Sequence, residues 1–321
     1  MLSRVAERLY WFGRYLERAE STARLLSVYT NLLLDLPNVQ FLWPALVQIT
    51  GYEQGFHQRF KHTTERNVVR FLLDDPRCSL RYCVTQAREN VRTSRDLMPN
   101  EAWEKINELQ LLLSQTDLGR ISREDRHILL SNVIDLCLEL TGYLSGSMSR
   151  QLPYYFLKIG RQIERADMTT RVIDVACLNL MSSRTQSDEA SDNILWMGVL
   201  SSLNGYQMYR QEVQDRVQGL LVTDFLMKDD AFPRSVRHAI LEAKESLSKL
   251  PRHSEAKALA EALYEQLGNL DMASIIDSGR LHAFIDDIQA DISTIHANIA
   301  ETWFLRSEEH TSELQSPDHL V

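Results

Sequence analysis

The stretch Gly13-Arg14-Tyr15-Leu16-Glu17-Arg18-Ala19-Glu20-Ser21-Thr22-Ala23-Arg24 recurs as Gly160-Arg161-Gln162-Ile163-Glu164-Arg165-Ala166-Asp167-Met168-Thr169-Thr170-Arg171, with seven of twelve positions identical. Nothing else in the chain limits the fold so strongly, because a segment used twice implies one supersecondary unit used twice. A fainter match follows in the same order. Ser79, Arg81, Ala87 and Glu89 align with Ser235, Arg237, Ala243 and Glu245. The offset grows from 147 to 156 residues between the two matches, an insertion that loops tolerate.

Both copies carry helical periodicity, and so does almost all of the chain. Gly (12) and Pro (8) make up about 6% of 321 residues, half the usual share, so tight turns are few and helices long. The pattern predicts helices over 2–34, from Ser122 to about Leu144, and over 153–181, 189–205, 206–219, 233–249, 254–268 and 280–304. Pro76 and Pro99 sit where first turns are expected, with Asp75 as a cap for the first. Ser122-Arg123-Glu124-Asp125 resembles a capping box, and 182–188 reads as a loop. The expected fold is an all-α bundle of about 10–12 helices, built from two duplicated halves with pseudo-twofold symmetry. Residues 1–305 would form one domain of two repeats, 1–150 and 151–305.

A helix turns 100° per residue, so Gly13, Glu17, Glu20 and Arg24 fall within about 60° of one another. Gly160, Glu164, Asp167 and Arg171 do the same. Each half thus presents a Gly-acid-acid-Arg stripe. It borders an apolar stripe of Leu9, Phe12, Leu16, Ala19 and Ala23, mirrored by Phe156, Ile159, Ile163, Ala166 and Thr170. A glycine inside a helix costs about 1 kcal/mol relative to Ala, and a repeated one marks a close helix crossing. The two motif helices are therefore expected to meet near a twofold axis, with their acids and arginines in a partly buried ion network. Such a network can fix helix register without adding much stability. It can also line a groove for a charged peptide. Arg14, Arg18, Arg161 and Arg165 lie on the flank of the stripe and read as the more exposed candidates for a carboxylate or phosphate.

The formal net charge is −9, of which 306–321 carry −3. An acidic chain gives no footprint for nucleic acid and argues against an anionic membrane surface. The longest apolar runs, such as Leu32-Leu33-Leu34 and Phe41-Leu42-Trp43, fall far short of a membrane span. Charges interrupt the N-terminus at once, leaving no signal-peptide core. Cys78, Cys83, Cys137 and Cys177 form no CxxC pair and suit reduced, buried thiols in a cytoplasmic protein. The tail RSEEHTSELQSPDHLV resembles the translation of a sequencing adapter and is read as non-native.

Other constellations are weaker. Glu89 and Arg92 read as a solvated helix pair, and Arg234 and Arg237 as solvated residues at a helix N-terminus. His57 and His62 are five apart and do not share a helix face, whereas Glu53 and His57 do. The five tryptophans read as core. Walker, GxSxG, GxGxxG and HExxH patterns are absent, as are the Glu-x-x-His pairs of di-iron bundles. No metal site and no cofactor are expected.

The opening Met1 to Glu20, Ala87-Arg88-Glu89-Asn90-Val91-Arg92, Gly160 to Asp167 and Phe232-Pro233-Arg234-Ser235-Val236-Arg237 together resemble the bacterial alpha-E domain family over nearly the whole chain to about Leu305. The resemblance implies an all-helical domain, found beside a circularly permuted ATP-grasp enzyme and a transglutaminase-like protein. It points to a non-catalytic helical partner or scaffold in a peptide ligase or peptide-modification system. The alternative is an enzyme of peptide synthesis or modification with Glu17 and Glu164 as acid/base groups. A carboxylate tied to arginine has a lowered pKa and makes a poor base, which favours the partner.

Overall fold

The computed structural model describes residues 3–35, 42–182 and 189–305. The expected tail, the chain's opening residues Met1-Leu2 and most of the expected loop at 182–188 lie outside the described residues. Among those described there are fifteen α-helices and no strand. In the first half these are α1 (Ser3–Asp35), α2 (Leu42–Thr50), α3 (Glu53–Arg59), α4 (Glu65–Asp74), α5 (Leu80–Arg92), α6 (Asn100–Gln115) and α7 (Arg123–Ser147). The second begins with α8 (Leu152–Ser182), α9 (Glu189–Ser202), α10 (Tyr206–Glu212) and α11 (Gly219–Lys228). It ends with α12 (Val236–Leu247), α13 (Ser254–Gly268), α14 (Met272–Asp277) and α15 (Leu281–Trp303).

The helices start where the sequence offers capping oxygens. Ser79, Ser122 and Ser235 each accept from the backbone N–H three residues on, at 3.1 Å in every case. Asp75 is not the N-cap expected but the C-cap of α4. Its Oδ1 instead accepts from Arg77 N at 3.0 Å, which closes the turn between α4 and α5 and delays the helix to Leu80. Pro233 likewise precedes its helix, because Ser235 is the cap. The expected helix over 206–219 is broken. Tyr209 Oη donates to the Arg216 carbonyl at 2.8 Å, Gln214 takes φ 53°, and a separate helix starts at Gly219. Such short extra helices raise the number above the ten to twelve expected.

The two long helices α1 and α8 cross at the centre. On α1 rest α5 and α7, and on α8 rest α12, α15 and α2. The two apolar stripes, Leu9 to Ala23 and Phe156 to Thr170, are buried throughout. One described helix, α7, is long and apolar enough on average to cross a membrane, although its apolar runs are short. It lies along α1 and α6 with Leu129, Leu130, Val133 and Leu140 in the core. Its buried Arg126 binds Glu65 at 2.9 Å.

Candidate functional site: an arginine–glutamate seam

The crossing of α1 and α8 is a backbone-to-backbone contact. A Cβ on Gly13 would stand 2.2 Å from the Leu157 carbonyl oxygen, and one on Gly160 would stand 2.0 Å from that of Tyr10. One helical turn further on, Glu17 and Glu164 come to lie in the seam, both fully buried.

Each glutamate is held by the other helix. Glu164 accepts from Arg14 Nε at 2.7 Å and from Arg18 through Nε and, at 3.0 Å, Nη2. Glu17 accepts from Arg161 Nε at 2.9 Å and from Arg165 through Nε at 3.0 Å and Nη2 at 2.8 Å. The exchange is reciprocal, position for position. Within each helix the second acid holds its own arginine, Glu20 with Arg24 and Asp167 with Arg171, both at 3.0 Å. The flank arginines are therefore less exposed than expected. Arg14 and Arg165 are buried, drawn into the crossing by their pairs with the opposite glutamates, the Arg165 pair being bidentate.

A third arginine was not legible as part of the site. Arg234, read as solvated, is buried and donates to Glu17 Oε1 at 2.6 Å and Glu20 Oε1 at 2.5 Å. The turn before α12 delivers it, and that turn is tied to α8. Arg165 donates to the Pro233 carbonyl at 3.2 Å, and Thr169 to that of Arg234 at 3.0 Å. The faint second repeat had singled out the adjacent Ser235, but Arg234 itself aligns with Cys78 and so carried no repeat signal. Arg237 is not free either: it pairs with Asp230 at 3.0 Å and lies over the Tyr264 ring.

Burial pushes the Glu164 carboxyl up, but Arg18 and Arg14 outweigh it and hold it at about 2. Glu17 is likewise well below the carboxylate range, against its burial, through Arg165, Arg234 and Arg161. Burial lowers Arg165 to about 10 despite Glu17, and the neighbouring Arg234 and Arg161 add to that. Beside the seam Tyr10 Oη meets His296 Nδ1 at 2.8 Å. Burial, then Arg14, lowers that imidazole to about 4.

The seam has one open side. Arg14, Arg18, Arg171, Glu164, Asp167 and Cys78 border a cavity of about 260 Å³ between α1, α8 and the α2–α3 turn. Elsewhere, Glu89 and Arg92 form an exposed pair at 2.8 Å. Glu53 and His57 lie on α3, and both are exposed. Sequence spacing gave no hint of Asp174, His282 and Asp286, whose metal-capable atoms lie within 4.8 Å of one another on α8 and α15. There His282 Nδ1 pairs with Asp174 at 2.7 Å.

A family described as "a predicted alpha-helical domain with a conserved ER motif", Alpha-E, matches residues 1–304. The chain belongs to the Alpha-E family. In this Alpha-E chain the Glu-Arg dipeptides Glu17-Arg18 and Glu164-Arg165 are the ones that exchange partners across the crossing. Its similar proteins include uncharacterized proteins of Mycobacterium bovis and Mycobacterium tuberculosis, each 24% identical over 272 residues, or 78% of this chain. The matched stretch is 30% of each relative, so this chain spans less than a third of their length. No solved structure matches it.

Proposed function

We propose that this Alpha-E chain is a non-catalytic helical partner in a cytoplasmic peptide ligase or peptide-modification system. It would hold a circularly permuted ATP-grasp ligase or that enzyme's peptide, alongside a transglutaminase-like protein. One observation carries the reading. Both seam glutamates are fully buried and bound by arginine, Glu17 through four N–H bonds and Glu164 through three, which holds both far below the pKa near the working pH that a general base needs. An arrangement of this kind sets register and presents a charged cavity rather than moving protons. The much greater length of the mycobacterial relatives supports a module that works beside other parts.

The test is co-expression with an ATP-grasp protein of the resembled kind, followed by co-purification and assay of each component. A stable complex, with peptide ligation residing in the ATP-grasp component, supports the proposal. Peptide turnover by this chain alone, lost in a Glu164→Gln variant that keeps its helicity, overturns it.

A further inference from the structure

We infer that the cavity beside Glu164 binds a carboxylate carried on a short apolar stem, such as the end of a peptide. The inference deepens the binding role proposed above and rests on it for the ligand's source, not for its chemistry.

The two stripes are not finished in the same way. Against Glu17 and Glu20 the chain places its own Arg234. The matching place on the other stripe belongs to the turn before α5, where Ser79 caps as Ser235 does before α12. The residue before Ser79 is Cys78, whose thiol turns to Asp75 Oδ1 at 3.7 Å. Arg77, the arginine of Asp74-Asp75-Pro76-Arg77, is half exposed and lies 3.8 Å from Asp75. No arginine enters, and the cavity remains.

Its lining fixes the sign of the ligand. Arg14, Arg18 and Arg171 face Glu164 and Asp167, an excess of one positive charge. Glu164 already accepts three of their N–H bonds and Asp167 one, while each guanidinium offers five. In the filled half Arg165 Nη1 donates a hydrogen bond to the Pro233 carbonyl. The matching Nη1 of Arg18 has no such protein acceptor among the described residues. A further cation would crowd three guanidiniums, as Arg234 and Arg161 already do to Arg165. A carboxylate takes up the spare donors in the bidentate geometry arginine favours.

The rest of the lining includes the apolar side chains of Leu25, Leu46, Ile49 and Leu72. The volume of about 260 Å³ lies just under the ~300–1,000 Å³ of small-molecule sites. It suits one amino-acid-sized group and is too small for a nucleotide.

Calorimetric titration of the full chain decides the matter, with N-acetyl-leucine, its neutral amide, argininamide and inorganic phosphate as probes. N-acetyl-leucine should bind, and the amide at least about tenfold more weakly. Arg171→Gln should weaken binding about tenfold, and Cys78→Leu, which puts a larger side chain at the cavity wall and replaces none of the arginines or acids of the seam, should abolish it. Arg171 is partly exposed, so at least that variant should fold. Equal binding of the amide, preference for argininamide or phosphate, no binding of N-acetyl-leucine, or binding unaltered in both variants overturns the assignment. Because the titration uses this chain alone, its failure is distinguishable from the absence of a ligase complex.

Discussion

Gly160 lies so close to the Tyr10 carbonyl that a Cβ at residue 160 would stand 2.0 Å from the oxygen. The obstacle is backbone, which cannot swing aside as a long side chain does. Gly160→Ala must therefore push α8 away from α1 and stretch every ion pair of the seam. The expected loss is about 3 kcal/mol or more, at the upper end of overpacking costs. Gly142, inside α7, meets nothing within 4 Å, so Gly142→Ala should be stabilising by about 0.5–1 kcal/mol. Urea unfolding of the two variants separates them. Similar small effects would mean that the helices do not touch at Gly160.

Glu17 collects three arginines and Glu164 two. Replacing either by Gln leaves buried guanidiniums without their counter-charge, which costs about 3–5 kcal/mol. Glu17→Gln should be the worse of the two, because Arg165 and Arg234 are both buried against it. Thermal unfolding measures the order, and a milder Glu17→Gln would contradict it.

Acid should unfold the protein through the seam. The Glu164 carboxyl sits at about 2 when folded, below its ordinary 4.5. The stability it contributes is complete above pH 4.5 and is lost as pH falls towards 2, on the order of 3 kcal/mol. His296 acts at milder pH. Its folded value of about 4 lies below 6.5, so the unfolded chain binds a proton first and stability falls between pH 6.5 and 4. His282 has the opposite sign. Asp174 raises it, so its small, exposed contribution is present below pH 6.5 and fades as pH rises through its raised value. Unfolding free energy measured against pH should flatten between 6.5 and 4 in His296→Gln while the steep fall below 4.5 persists. An unchanged slope in that variant would contradict the assignment.

Burial pushes all four thiols up, Cys83 and Cys177 to about 12. Alkylation of the native protein by iodoacetamide at pH 8 should be more than a hundredfold slower than in urea, where all four react. Rapid native-state modification of Cys83, Cys137 or Cys177, none of which borders the cavity, would show a thiol outside the core.

The helices and the meeting of the two motifs were legible because periodicity and glycine spacing act within a single helix. Gly13 and Gly160 marked the crossing by costing helix propensity, which only a close contact repays. The partner exchange was not legible. On a helical wheel Arg14 and Arg18 lie to the side of Glu17, and only the crossing geometry turns them onto Glu164. Arg234 was hidden for a different reason. It stands in a turn, where no periodicity says which way a side chain points, and the tie from Thr169 to its carbonyl is long-range. The cavity is defined by what Cys78 leaves unfilled, and a sequence repeat does not display a missing side chain.

The most direct test is a pair of double-mutant cycles on unfolding free energy, one combining Glu17→Gln with Arg165→Met and the other Glu17→Gln with Arg18→Met. The seam predicts a coupling of about 1–3 kcal/mol for Glu17 with Arg165, which is 148 positions away yet bound at 2.8 Å, and under about 0.5 kcal/mol for its sequence neighbour Arg18. Additive effects for Glu17 with Arg165, or a stronger coupling to Arg18, would contradict the exchange of partners across the crossing.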